Sequence, residues 1–302
     1  VSTSSLFDGA TERMSTLQKR LATVQAQLSE GKQVLSPSDA PDKAAAIQRL
    51  KGEVDRQDGH SNLLKGALGH FRAEETALNS GNNIVLRLKE LSLQAANGTL
   101  GPTERAAIAS EMQSLRDELL SLGNARDDSG NYLFSGTRVK TPAFAEDASG
   151  NIVYQGDQSQ VTIPAGVERT VQYTRSGTDV FQRIVRNGGT AVGFFDAIDQ
   201  MINAVKSGDS AKMQQGIADA DQMSDGLTLA VAQCGSDQQV IQSQIDVLDE
   251  TKLRMRSTLS DVQDLDYAEA VTRMSKEQMA LQAAMSSFAK IAGMSLFDYI
   301  RS

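Results

Sequence analysis

The sequence predicts a mainly α protein, an elongated antiparallel bundle of long helices with a small β insertion at its tip. Three observations carry that reading. From Met213 to Val262 apolar residues recur at alternating four- and three-residue steps with no Pro between them. Both ends of the chain bear amphipathic stripes of the same kind. Between Asn131 and Val185 the helical period vanishes and short β-prone runs, punctuated by Gly, take its place.

The long stripe runs Met213, Ile217, Ala220, Ser224, Leu227, Val231, Cys234, Gln238, Ile241, Ile245, Leu248, Lys252, Met255, Leu259, Val262, and twelve of these fifteen positions are apolar. A 4-3 spacing held this long builds a helix that lies against other helices. At 1.5 Å per residue it extends roughly 75 Å, which suits a rod. After Val262 the stripe slips by one residue and resumes at Tyr267, Val271, Met274, Gln278, Leu281, Met285 and Phe288.

From the N-terminus, Leu6, Ala10, Met14, Leu17, Leu21, Val24 and Leu28 form the first stripe, which stops near Gly31. Ser36-Pro37-Ser38-Asp39-Ala40-Pro41 cannot be continuous helix, because each Pro lacks a donor and pushes its predecessor toward extended backbone. Asp39, Pro41 and Asp42 suit the start of a second helix, with carboxylates at the positive end of its dipole. Its apolar face is Ile47, Leu50, Val54, Leu64, Leu68 and Phe71, and it reaches Ala96 before Asn97-Gly98. Gly52, Gly59, Gly66, Gly69 and Gly81 weaken it, so packing must sustain it, with Gly marking close approaches. A third helix follows Pro102, with Ile108, Met112, Leu115, Leu119 and Leu122 on one face. The β-prone runs are Asn151–Tyr154, Gln160–Ile163 and Thr170–Tyr173. Helix returns near Gly193 and breaks at Ser207-Gly208-Asp209.

Composition narrows the function. The 302 residues carry a net charge of −8, with acidic and basic groups mixed along the chain, so there is no footprint for nucleic acid or an anionic membrane. No apolar run is long enough to span a bilayer, and no secretory signal peptide is read at the N-terminus. The single Cys, Cys234, sits in the long stripe as a small packed hydrophobe. His60 and His70, ten residues apart on the second helix, read as solvent-exposed. Asp127-Asp128-Ser129-Gly130-Asn131 lacks the spacing of a calcium loop and reads as a turn. Asp225, Asp246, Asp249 and Glu250 read as a solvated helix face. No phosphate loop, dinucleotide pattern or zinc motif occurs, so neither cofactor nor metal is expected and the chain does not read as an enzyme.

Three segments carry a family likeness. Leu28-Ser29-Glu30-Gly31-Lys32-Gln33-Val34 followed by Ser36-Pro37-Ser38-Asp39-Ala40-Pro41 resembles the N-terminal signature of the flagellin family. Gly130-Asn131-Tyr132-Leu133-Phe134-Ser135-Gly136 resembles the segment where that family's helical domain gives way to β structure. Leu281-Gln282-Ala283-Ala284 and Ser295-Leu296-Phe297-Asp298-Tyr299-Ile300 resemble the junction members of the family more than its filament subunits. The resemblance implies an extracellular structural protein of the bacterial flagellum, exported unfolded through the type III apparatus without a cleaved signal. It also implies a ring of like subunits between hook-associated protein 1 and the first flagellin, and an export chaperone before assembly. Rival readings are a minor flagellin of the filament itself and a secreted coiled-coil adhesin or effector with a binding β tip.

The breaks divide the chain into three expected parts: a terminal layer of residues 1–40 with 267–302, a bundle of 41–130 with 190–266, and a β-rich part of 131–189. Residues 143–185 lie outside every long stripe and are expected to be removable. One antiparallel pair cannot enclose the apolar faces of both ends. Leu6, Leu17, Leu21, Val24, Leu28, Leu281, Met285, Phe288, Ile291, Leu296 and Phe297 are therefore expected to form the subunit interface.

Overall fold

The computed structural model describes residues 3–98, 100–166, 169–186 and 189–300, with side chains from 7 to 290 within those ranges. The elements are α1 (Thr3–Glu30), α2 (Pro41–Ala96), α3 (Pro102–Gly123), β1 (Phe144–Glu146), β2 (Ile152–Tyr154), β3 (Thr162–Pro164), β4 (Thr170–Gln172), α4 (Gly177–Val180), β5 (Ile184–Val185), β6 (Ala191–Val192), α5 (Phe194–Ser207), α6 (Ser210–Gln263) and α7 (Tyr267–Ile300). The mainly helical class is thus observed. The described residues form two compact units, Val1–Gly59 with Glu250–Ser302 and His60–Asp249. The boundaries fall inside α2 and α6, away from the Pro and Asp breaks that guided the three-part division.

Local chemistry starts and stops the helices where the sequence changes character. Asp266 accepts from the backbone N–H groups of Ala268 and Glu269, capping α7 and explaining why the stripe resumes at Tyr267. Asp209 caps α6 by accepting from Lys212 N. Gly208, at φ +72°, closes α5 in the left-handed region. Gly31, at φ +67°, ends α1, and a Cβ there would also meet the Tyr267 hydroxyl at 2.8 Å. The two breaks are bonded to each other: Leu265 N donates to Gly31 O at 3.0 Å and Gln33 N to Gln263 O at 2.8 Å.

In the unit containing the chain ends, α1 pairs with α7. Phe7 meets Phe288 edge-to-face at 5.4 Å, and beyond the other end of the pair the backbones of Lys32 and Asp264 form an antiparallel bridge, so the two helices run antiparallel. Lys252, a polar intruder in the α6 stripe, is buried against Asp58 of α2 at 3.0 Å, and Arg256 holds the same carboxylate. The hydrogen bond from Lys252, followed by the charges of both cations, holds Asp58 below the usual carboxylate range.

In the unit His60–Asp249, one continuous core joins α2, α3, α5, α6 and the β insertion. The stripe residues Met213, Ala220, Leu227, Cys234, Ile241, Ile245 and Leu248 are all buried. The other two polar exceptions also find partners on α2: Ser224 donates to Asn82 at 2.7 Å and Gln238 to Glu75 at 2.7 Å. Such pairs fix helix register, because a slip would strand a polar group against an apolar face. Gly81 is the one helical glycine of α2 with a close interhelical contact, since a Cβ there would lie 3.3 Å from Leu119. Gly59, Gly66 and Gly69 face open space, contrary to the expectation of close approach.

The β insertion is three separate antiparallel hairpins, β1–β2, β3–β4 and β5–β6. All six strands have only two or three residues each. The turn chemistry repeats. Asp147 accepts from the N–H of Ser149 and Asn151 at the β1–β2 turn, and Asp127 does the same for Ser129 and Asn131, so the Asp127 segment is a turn as expected.

The insertion is not an appendage. Phe134, Phe144, Phe181, Phe194 and Phe195 form one aromatic cluster with ring centroids 5.2–5.9 Å apart, drawing residues before, within and after the insertion into one core. Val180 and Ile184 are buried with them. Residues 143–185 lie outside the helical stripes but inside the helical core, which speaks against the expectation that they could be cut away.

Candidate functional site

The sequence points to the terminal helices, and the structure divides their apolar residues into two sets. On α1 Phe7, Ala10, Met14, Leu17, Leu21, Val24 and Leu28 are all less exposed, together with Gly9, Ala26 and Gln27, so the sequence stripe lies on the face turned to its neighbour. Val24 alone among them is fully buried, and Leu17, Leu21 and Leu28 are half-buried. On α7 the less exposed side is Ala270, Arg273, Met274, Glu277, Leu281, Ala284 and Phe288. Tyr267, Val271 and Met285 are 57%, 48% and 55% exposed. At 3.6 residues per turn these three share one line along α7, roughly a quarter-turn from the side that α1 covers. The seven-residue stripe read from the sequence therefore straddles a covered edge and an open edge. Met279, 62% exposed, stands farther round. Leu6, Ile291, Leu296 and Phe297 lie outside the described side chains.

Among the described residues no three His, Cys, Asp or Glu side chains converge as a metal site would require. No helix is long and apolar enough to cross a membrane among them. Cys234 is buried and donates to Phe71 O at 3.1 Å. Desolvation, reinforced by the charge of Glu74, pushes its thiol up to about 12, so it stays an unreactive packed group. Asp225, Asp246, Asp249 and Glu250 are exposed on α6, as expected. A cleft of about 410 Å³ between α5 and α6 is edged by Arg186, but that guanidinium is committed to the buried Asp219 and to Gln200.

One histidine overturns its sequence reading. His70 is 6% exposed, not solvated. Its Nδ1 lies 3.3 Å from Asp127 Oδ2, and its ring lies against Tyr173 at 4.6 Å. Those partners are 57 and about a hundred residues away, and no local pattern announces them. Sequence reasoning also missed Arg175, which enters between α2 and α6. Its Nε lies 2.5 Å from Glu74 Oε1, and its Nη1 and Nη2 donate to Gln233 and Asp237 at 3.0 and 3.1 Å. The available signal was an Arg beside a β run, with two acidic residues on the faces of distant helices turned toward it.

Comparison with known proteins agrees with this geometry. Residues 1–139 match the bacterial flagellin N-terminal helical region, and 217–300 match the bacterial flagellin C-terminal helical region. Flagellar hook-associated protein 3 of Salmonella typhimurium is 26% identical over 292 residues, with 91% of each chain covered. Its counterpart in Escherichia coli is 28% identical over 290 residues, with 90% of each covered. The structure of a putative flagellar hook-associated protein from Vibrio parahaemolyticus matches with a TM-score of 0.67 at 22% identity, covering 75% of this chain and all of that one. The two matched regions leave only the insertion and its flanks unassigned, and with α1 and α7 paired as they are, this chain belongs to the flagellin family.

Proposed function

We propose that this protein is the structural subunit that joins the hook to the filament of the bacterial flagellum. Its similarity to hook-associated protein 3 carries the reading, because it spans about nine-tenths of the chain in two relatives. In this role the protein stacks on hook-associated protein 1, receives the first flagellin subunits, and closes a ring with copies of itself. It acts outside the cell after export without a cleaved signal, and an export chaperone holds it beforehand. It is a structural part and not an enzyme.

The physics of the terminal pair supports adhesion as the working principle. Two helices leave part of each apolar face open, and Tyr267, Val271 and Met285 are the open part on α7. Covering the exposed half of a side chain of that size is worth about 1 kcal/mol, which is available only when a neighbour arrives. Electron microscopy of flagella carrying labelled protein tests the proposal. Label confined to the hook–filament boundary is expected. Label along the filament, or purified protein that polymerises alone into long filaments, would identify a filament subunit and sink the reading.

A further inference from the structure

The β3–β4 hairpin sits on α2 and α6 through an unusual set of charges. From α2, His70 and Glu74 stand one helical turn apart: His70 lies against Tyr173, just past β4, and Glu74 against Arg175. Glu75 is beside them, held by Gln238 of α6. α6 adds Asp237 and Gln233, and the loop before the insertion adds Asp127. His60 meets the edge of the hairpin at Pro164 O, 3.1 Å away. Glu74 is fully buried, and Arg175 and His70 are 8% and 6% exposed. One guanidinium thus faces Glu74 and Asp237 directly, with Glu75 and Asp127 next in line, while Lys65 and Asp128 edge the cleft that His70 and Tyr173 line. A charge count this lopsided, out of water, is relieved by a proton.

We propose that the seat of the β3–β4 hairpin is a proton-holding latch, in which docking places one proton on Glu74 and leaves His70 neutral, so that the hairpin stays docked with little change across mildly acidic pH. The direction of each titration supports it. Burial pushes the Glu74 carboxyl up to about 7, against the opposing pull of Arg175. Burial moves His70 the other way, below its usual value, although Asp127 resists. Asp237 is also raised by burial, with Arg175 opposing.

The signs follow from linkage. A carboxyl raised in the docked state favours docking most below its free value of 4.5, and that contribution is lost as pH rises toward 7. An imidazole lowered in the docked state favours docking fully above its free value of 6.5 and loses that contribution as pH falls. Between about pH 5 and 6.5 the two slopes oppose. Undocking there releases a proton from the carboxyl and takes one up on the imidazole, so the two effects act against each other.

The test uses the full-length chain and hydrogen exchange of the Ala165 and Tyr173 amides, which bond to Arg169 O and Val161 O across the hairpin. Protection, corrected for intrinsic exchange, is followed from pH 5 to 8 in a His60→Gln background that removes the third imidazole contact. With His70 and Glu74 both present, protection is expected to vary less than about threefold between pH 5 and 6.5. Glu74→Gln should make it fall as pH drops below 6.5, and His70→Phe should make it fall as pH rises from 5 to 7. Each slope approaches, and cannot exceed, about tenfold per pH unit for one proton. A steep slope in the parent, or flat profiles in both variants, overturns the latch. If a variant fails to fold, ¹³C NMR titration of the unaltered protein decides. Glu74 titrating near 7 with His70 below its usual range upholds the latch, and ordinary values for both refute it.

Discussion

The unit His60–Asp249 and the unit formed by the chain ends are built from the same kind of helix, yet they finish their cores differently. In the first, α2, α3, α5 and α6 close around the aromatic cluster, and whole rows of side chains lose contact with water. In the second, Val24, Ile47, Val54, Leu265 and Ala270 are the fully buried apolar residues among the described side chains. The apolar stripe of α7 keeps Tyr267, Val271 and Met285 in water. Helical periodicity is therefore not a measure of completed burial. An amphipathic helix states that it needs a neighbour and leaves open whether that neighbour belongs to its own chain.

The sharpest way to break this comparison is to open the finished core. Replacing residues 143–185 by a short Gly-Ser bridge removes Phe144, Val180, Phe181 and Ile184 from it. We expect loss of the cooperative helical transition by circular dichroism. An unchanged transition would show that the insertion is peripheral after all. A point substitution asks the same question more gently. Phe134 is fully buried and packs edge-to-face on Phe181 at 5.6 Å. Phe134→Ala should cost about 3–5 kcal/mol in denaturant unfolding. Phe288, half-buried against Phe7, should lose only about 1–2 kcal/mol when changed to Ala. Equal costs would erase the distinction between the two units.

What the sequence disclosed follows the range of the interactions. The faces of α1 and α6 and the restart at Tyr267 were legible, because spacing along one helix is local information. The polar exceptions Ser224, Gln238 and Lys252 were visible as exceptions, but their partners Asn82, Glu75 and Asp58 were not, since each pairing spans well over a hundred residues. The burial of His70 was hidden for the same reason. The insertion looked dispensable because its core residues are single aromatics on short strands and loops, where no period marks them as inward. For the site, the stripe on α7 was read correctly as apolar, but which edge α1 covers is decided by packing. Leu281 and Phe288 proved to lie on the covered side, while Met285 lies on the open one.

That last point selects the cleanest test of assembly. Charging Leu281 and Phe288 together would disturb the α1–α7 pair, so a loss of assembly would mean little. Val271→Glu with Met285→Glu avoids this. Both positions are about half exposed, and Glu is a good helix former. Neither position has an acidic residue three or four places away along α7, so no like-charge pair is created on the helix. The monomer should unfold within about 0.5 kcal/mol of the parent for each change. Assembly should respond otherwise, because two half-exposed apolar side chains, each worth about 1 kcal/mol on further burial, are replaced by carboxylates that resist desolvation. The expected result is a monomer with parental unfolding that no longer restores motility or appears at the junction in a strain lacking the native protein. Normal incorporation would mean that the open edge of α7 faces water in the assembled flagellum, and that subunits meet through some other surface. A strongly destabilised monomer would mean that Val271 and Met285 already have a neighbour within the chain, and the contrast between the two units would then disappear.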